Sequence, residues 1–176
     1  MADIDPPETM VRIAEHTFPL GKATVYGVIV GILVGIGNTY LDLDFSSNVV
    51  VLSTLLVAIV AVLFLHEGIH GAVGWILGHR PTFGVEPPLV YTTFVTKLPR
   101  DHLIAVALAP LLILDALFVG LYALGVFKLF NDLAFAVNTI GSVGDLWIVA
   151  KLVTHPRASL IQDTKTGVAV WLEERS

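Results

Sequence analysis

Two histidines and a glutamate lie within five residues of one another, in His66-Glu67-Gly68-Ile69-His70. On an α-helix, residues four apart share a face, so both imidazoles can bind one metal ion at about 2.0–2.1 Å. Glu67 then lies beside the ion without binding it, where its carboxylate can take a proton from a zinc-bound water and pass it to a leaving amine. The spacing therefore predicts a Zn²⁺ site with His66 and His70 as ligands and Glu67 as the catalytic base.

A catalytic zinc usually takes three protein ligands and leaves its fourth position to water. The sequence has no cysteine, and two aspartates within apolar stretches, Asp115 and Asp145, are the candidates for the third ligand. Asp145 is preferred because Gly141 and Gly144 would let its helix approach the metal closely. It also lies at about the expected depth of the histidines, whereas Asp115 is nearer the middle of its stretch and remains the alternative.

Four apolar stretches meet or approach the length of about 20 residues that a helix needs to cross the hydrocarbon core of a membrane. They cover residues 23–40, 49–77, 102–127 and 134–153. In the first, Gly27, Gly31 and Gly35 recur at every fourth position, a spacing that lets membrane helices pack closely. The metal motif lies in the second. A purely structural role for its histidines is disfavoured, because ionisable residues inside membranes are costly and mark functional sites.

The segment between the second and third stretches breaks the helical pattern. Four prolines flank residues 89–95, which are rich in β-favouring side chains. The segment is predicted to be a strand, a hairpin or a re-entrant loop. Since an exposed strand can bind an extended peptide by pairing with it, Leu89, Tyr91 and Thr93 are candidate substrate contacts, and an ordinary loop is the alternative. A second strand-like run, 168–172, follows a turn near the C-terminus.

The composition indicates a lipid environment. Hydrophobic residues make up 55% of the chain, charged residues only 14%, and the mean hydropathy is +0.81, whereas soluble domains have about 25% charged residues. No dense block of lysine and arginine is present, so a nucleic-acid partner is not expected. The basic residues cluster before the first stretch, between the second and third, and after the fourth. By the positive-inside rule, this predicts a multi-pass protein of the cell membrane with both termini in the cytoplasm.

These observations predict an all-α membrane protein that forms a single membrane-embedded domain over residues 1–176. It would have about four transmembrane helices, a short β-hairpin or re-entrant segment between the second and third, and a small strand-like C-terminal tail.

The pattern of His66-Glu67-x-x-His70 on one helix, an intervening helix and an aspartate on the next resembles the core of site-2-protease-type intramembrane metalloproteases. Asn138, seven residues before Asp145, resembles the asparagine of that superfamily's Asn-x-x-Pro…Leu-Asp-Gly helix and is therefore a candidate substrate contact. The proline and the Leu-Asp-Gly triplet are absent here.

A closer resemblance is to the DUF3267 group of zincin-type membrane peptidases and extends from Leu65 to the C-terminus. The features that carry it are listed in chain order: the zinc motif, Phe83-Gly84-Val85, Ala109-Pro110, Gly144-Asp145 and an Asp163…Gly167…Val170 hairpin. This resemblance implies peptidase chemistry and a zinc ligand at Asp145.

The sequence therefore predicts an intramembrane zinc metalloendopeptidase, in which Glu67 assists the attack of a zinc-bound water on a peptide bond of a membrane protein or peptide. The alternative is a membrane zinc transporter or sensor that binds the metal without hydrolysis. Glu67 favours the peptidase, because metal binding alone does not need a free carboxylate beside the ion. The chain also lacks the internal repeat that is typical of many transporters.

Overall fold

The computed structural model describes residues 10–19, 45–86, 89–164 and 167–173. Within them the chain forms four helices and six strands, in the following order: β1 (Met10–Thr17), α1 (Phe45–Ile76), β2 (Pro81–Glu86), β3 (Leu89–Phe94), β4 (Leu98–Pro99), α2 (Arg100–Ala123), α3 (Lys128–Gly141), α4 (Val143–Leu152), β5 (Leu160–Thr164) and β6 (Gly167–Glu173).

Three stretches in the described part of the chain are long and apolar enough to cross a membrane. They are Val49–Ile76, Arg100–Ala123 and the combined α3–α4 segment Lys128–Leu152, with 28, 24 and 25 residues. The helices predicted at 49–77 and 102–127 are therefore present, with small shifts at their ends. The first predicted stretch, 23–40, with its three regularly spaced glycines, lies outside the described residues.

The surface of α1 is apolar and largely exposed. Leu56 is 66% exposed and Trp75 is 73% exposed, and many other valines, leucines and isoleucines of this helix are also exposed. An apolar surface that runs the length of one helix is costly in water and suits the hydrocarbon core of a bilayer. The inner side of α1 packs on α2 and α3 through a core of small and large apolar side chains: Ala58, Val62, Leu114, Phe118, Leu133 and Ala134.

The C-terminal end of α1 is set by Gly78. This residue has a φ of +87°, and the Gly78 and His79 N–H groups donate to the carbonyls of Trp75 and Gly74, which closes the last turn. The β2–β3 hairpin then folds back onto α1. The ring of Phe83 lies over Gly71 and that of Phe94 over Gly74, where a Cβ atom would collide with them. These two glycines therefore let the hairpin lie directly against the helix that carries the metal motif.

The prediction of an all-α protein is wrong, because a four-stranded antiparallel sheet is present with the order β1-β6-β5-β4. Its apolar side chains Ile161, Val168 and Val170 pack on Leu152 at the end of α4. The strand-like run 168–172 belongs to β6, as predicted. β1 was missed because most of its residues are exposed, so the strand lacks the buried face that makes a pattern recognisable.

The fourth predicted stretch, 134–153, differs from the structure in two ways. It begins earlier, at Lys128, and it is interrupted at Ser142, between α3 and α4. The Ser142 hydroxyl donates to the carbonyl of Asn138 at 2.9 Å. The interruption places Asp145 in the first turn of a new helix, where the free N–H groups and the helix dipole favour a negative charge.

Candidate metal centre and active site

His66, Glu67 and His70 project together from α1. One potential ligand atom from each lies within 4.8 Å of the other two, and the two imidazoles are in edge-to-face contact with their centroids 4.7 Å apart. Both histidines are largely buried, with 12% and 11% of their side chains exposed. The helical spacing thus produces the shared face that was expected from the sequence.

Asp145 of α4 faces both histidines. Its Oδ2 lies 3.0 Å from His66 Nε2, and its Oδ1 lies 3.5 Å from His70 Nε2. Ligands at about 2.0–2.2 Å from a tetrahedral zinc are separated by about 3.3–3.6 Å. The separation between His70 and Asp145 falls in this range, and that between His66 and Asp145 is slightly shorter. Two imidazoles and a carboxylate are also a donor set that zinc accepts. These three side chains therefore could hold zinc.

The second ring nitrogen of each histidine has its own partner. His66 Nδ1 lies 2.9 Å from Asn138 Oδ1, and His70 Nδ1 lies 2.8 Å from the backbone carbonyl of Val106. Both partners are acceptors, so each Nδ1 carries the hydrogen and donates it. Nε2, the atom that faces Asp145, is then the ring nitrogen that can bind a metal ion, once the ion replaces any hydrogen that Nε2 shares with the carboxylate.

Asp115, the alternative third ligand, does not lie against the histidines. Its Oδ1 accepts from Asn138 Nδ2 at 2.8 Å, and its Oδ2 accepts from the hydroxyl of Thr139 at 2.9 Å. Asn138 thus separates Asp115 from His66. Of the two aspartates, the structure brings only Asp145 to the motif.

Asn138 is fully buried and uses both ends of its amide. Its oxygen accepts from His66, and its Nδ2 donates to Asp115 and to the backbone carbonyl of Pro110 at 3.1 Å. The candidate role in substrate binding would require an exposed amide. In the structure Asn138 instead orients the ring of His66.

The predicted strand is present as β3, beside the metal motif. Thr92 donates its hydroxyl to the backbone carbonyl of Glu67 at 2.8 Å, which ties the strand to the turn of α1 that carries the catalytic candidate. Tyr91, by contrast, lies over Gly84 of the paired strand. Among the candidate substrate contacts on this strand, Tyr91 is 39% exposed and Thr93 is half-buried.

A small cavity of about 80 Å³ adjoins the metal motif. His70, Thr92, Asp145 and Asp163 supply its polar lining, and apolar side chains such as Phe94 and Val106 form much of the rest. A cavity of this volume with several polar groups in its lining is large enough to hold water. Asp163, on β5, was noted in the sequence only as part of the C-terminal hairpin, and its place at this site depends on the sheet that was not predicted.

Burial and the nearby negative charge of Glu67 raise the pKa of Asp163 to about 6. Because this value lies above the pKa of 3.8 in an unfolded chain, Asp163 stays protonated to a higher pH in the folded protein than in the unfolded one. The contribution of this proton to the free energy of unfolding is complete below pH 4 and is lost as the pH rises through 6. The difference between the two pKa values corresponds to about 3 kcal/mol.

In protein freed of metal with a chelator, Asp163→Asn is therefore expected to raise the free energy of unfolding at pH 8 by up to about 3 kcal/mol. The gain should shrink steadily as the pH is lowered from 6 to 4. Denaturant unfolding at a series of pH values measures both effects. Asp132→Asn removes an equal charge from an exposed position of α3 and serves as the control. A gain that does not depend on pH would contradict a buried, titrating Asp163.

Asn138→Leu is expected to weaken zinc binding about 10–100-fold, the usual effect of removing a group that orients a metal ligand. It should also destabilise the protein, by about 1–3 kcal/mol for each buried partner left without a hydrogen bond. Asn131→Leu is the matched control, because Asn131 is also a buried asparagine of α3 but donates to the carbonyls of Val126 and Phe127, at the other end of the helix. It should lower stability and leave zinc affinity unchanged. Equal zinc affinities in the two variants would contradict the role of Asn138.

Residues 49–160, well over half of the chain, match the protein family DUF3267, described as "Putative zincin peptidase". The chain is also 27% identical over 143 residues to a protein of Pyrococcus woesei described as "Uncharacterized 24.7 kDa protein in gap 5'region". The aligned region covers 77% of this chain and 64% of that relative, so the chain spans less than two thirds of the relative's length. No solved structure gives a significant match. With the zinc motif inside the matched region, the chain belongs to the DUF3267 family of zincin-type peptidases.

Proposed function

We propose that this protein is an intramembrane zinc metalloendopeptidase, which hydrolyses peptide bonds of membrane proteins or peptides within or near the bilayer. One observation supports this above all. His66, Glu67, His70 and Asp145 come together among three helical segments that are long and apolar enough to cross a membrane. The arrangement, with two ligands on one helix and the third on the last segment, resembles site-2-protease-type enzymes.

His66, His70 and Asp145 would hold the ion and leave one position open, as in catalytic zinc sites generally. Zinc held there would supply a Lewis acid, which would lower the pKa of a water at the open position and polarise the carbonyl of the peptide bond. Residues of the protein orient the ligands and move the proton. Asn138 and the Val106 carbonyl fix the two imidazoles in the tautomer that presents Nε2 to the ion.

Glu67 is the base that would move the proton. Its carboxylate lies within 4.8 Å of both imidazoles, and that of Asp145 reaches their Nε2 atoms from another helix, at 3.0 and 3.5 Å. With Asp145 as the proposed third ligand, Glu67 is free to accept a proton from the attacking water and deliver it to the leaving amine. The bond from Thr92 to the Glu67 carbonyl ties the backbone at this position to β3.

The β2–β3 hairpin is where we place the substrate. A transmembrane helix has its backbone groups hydrogen-bonded internally, so it must unwind before cleavage, and an extended segment can then pair with a strand. β3 lies against the turn of α1 that carries Glu67. Leu89, Tyr91 and Thr93 are the proposed contacts along it.

The depth of the site favours cleavage within the bilayer. His66 lies ten residues before the end of α1, which is roughly 15 Å along the helix, or about half of a 30 Å hydrocarbon core. β1 and β6 belong to one sheet, so they lie on the same side of the membrane. By the positive-inside rule the distribution of basic residues favours the cytoplasm for that side, and we propose that the site opens towards it.

Purified protein in liposomes, with a peptide that spans the same bilayer and carries a fluorophore and quencher, tests this proposal. We expect cleavage that stops when zinc is chelated and returns when zinc is restored. A zinc-sensitive dye inside the same liposomes tests for transport. Zinc that binds and enters the lumen without any cleavage would overturn the proposal in favour of a transporter. Protein that binds no zinc would overturn both.

A further inference from the structure

A proline interrupts the hydrogen bonding of α2. Each N–H of an α-helix donates to the carbonyl four residues earlier, and Pro110 has no N–H. The carbonyl that loses its donor is therefore that of Val106. Both residues are buried, with Val106 only 3% exposed. Carbonyls freed in this way in membrane helices are satisfied by neighbouring groups.

The neighbour at this carbonyl is a side chain of the metal motif. His70 Nδ1 lies 2.8 Å from the oxygen of Val106, in a fully buried contact between α1 and α2. The carbonyl can only accept, so Nδ1 donates, and Nε2 is left as the ring nitrogen that can bind an ion. That atom faces Asp145 Oδ1 at 3.5 Å.

We propose that Pro110 is a positioning residue for the metal site. By removing the helical donor to Val106, it reserves that carbonyl for His70 and so holds His70 in the tautomer and orientation that bind zinc. This inference rests on the proposed function, since zinc is the metal concerned.

Pro110 also acts on the other histidine. Its own carbonyl accepts from Asn138 Nδ2 at 3.1 Å, and the oxygen of the same amide accepts from His66 Nδ1. The bond to Pro110, together with that to Asp115, determines which end of the Asn138 amide faces His66. The partners of both Nδ1 atoms thus depend on one turn of α2, around a residue that touches no ligand atom itself.

Pro110→Ala returns an N–H to position 110, where it competes with His70 for the Val106 carbonyl. Groups that orient metal ligands typically contribute about 10–100-fold to affinity. We therefore expect the Kd for zinc to rise about 10-fold or more in this variant, as measured by competition with a chelator. In the zinc-free protein, nitrogen NMR of labelled histidines should show that His70 has gained a population with no hydrogen on Nδ1.

Pro110→Ala both adds an N–H and removes the proline ring, and a change in the backbone distinguishes these two effects. Pro110→lactic acid places an ester at this position, with the side chain of alanine and no N–H. If the reserved carbonyl is what matters, this variant keeps a zinc Kd and a His70 tautomer close to those of the wild type, although it lacks the ring. If it is impaired as much as Pro110→Ala, or if neither variant changes the Kd by more than twofold, the proposal is overturned.

Neither readout requires peptide cleavage. A protein that binds zinc but never cleaves a peptide would refute the proposed function and leave the role of Pro110 open to the same measurement. The tautomer in the zinc-free protein also reports on Pro110 independently of zinc affinity.

Discussion

Glu67→Gln is expected to lower kcat by about 10²–10⁴-fold, the range typical of removing a general acid or base. Glutamine has nearly the same shape as glutamate but cannot accept the proton of the attacking water. Zinc content should remain at one ion for each chain, because His66, His70 and Asp145 are unchanged. Cleavage of the membrane-spanning peptide and metal analysis of the purified variant measure the two quantities.

Glu173→Gln makes the same chemical change at an exposed position of β6 and should leave both quantities unaltered. A Glu67→Gln variant that cleaves at the wild-type rate would exclude Glu67 as the base. Loss of zinc from that variant would show instead that Glu67 is a ligand, which its position within 4.8 Å of both histidines makes a meaningful alternative.

Asp145→Ala is expected to weaken zinc binding by more than about 100-fold, beyond the range seen when a group that only orients a ligand is removed. Its two oxygens are the carboxylate atoms at 3.0 and 3.5 Å from the Nε2 atoms of the histidines. Without them only two protein ligands remain, and a catalytic zinc normally has three. Activity should fall with zinc occupancy and recover in part at high zinc concentration.

Asp115→Ala is the variant with which Asp145→Ala should be compared. It removes an aspartate from another apolar helix, but one that reaches His66 only through Asn138. We expect its zinc affinity to fall by about 10-fold or less, because Asn138 keeps its bond to Pro110. If Asp115→Ala lost zinc while Asp145→Ala retained it, the third ligand would have to be reassigned.

The local features of this protein could be predicted because each depends on a short stretch of sequence. The spacing of His66 and His70 places them on one helical face wherever the helix lies. The apolar stretches at 49–77 and 102–127 and the β-favouring run before the second of them are also local patterns. Membership of the DUF3267 family, expected from the motif and its surroundings, is confirmed by the match over residues 49–160.

Features that depend on two distant segments could not be decided in this way. β1 has few buried residues, and its strand forms only because β6 is available as a partner across most of the length of the chain. The all-α prediction failed because such pairing leaves little trace in the hydrophobic pattern of an edge strand. The place of Asp163 likewise depends on a distant segment, because β5 pairs with β4, which precedes α2, as well as with β6.

The sequence by itself determined the zinc motif, the apolar helices and the absence of cysteine ligands. Only the tertiary structure decided which aspartate faces the histidines and what holds each imidazole. Asp115 and Asp145 are alike as half-buried carboxylates on apolar helices, and only the packing of α2, α3 and α4 distinguishes them. Every residue has a backbone carbonyl, so the sequence does not show that the carbonyl of Val106 belongs to the site. It becomes part of the site because Pro110 frees it and α1 brings His70 within 2.8 Å.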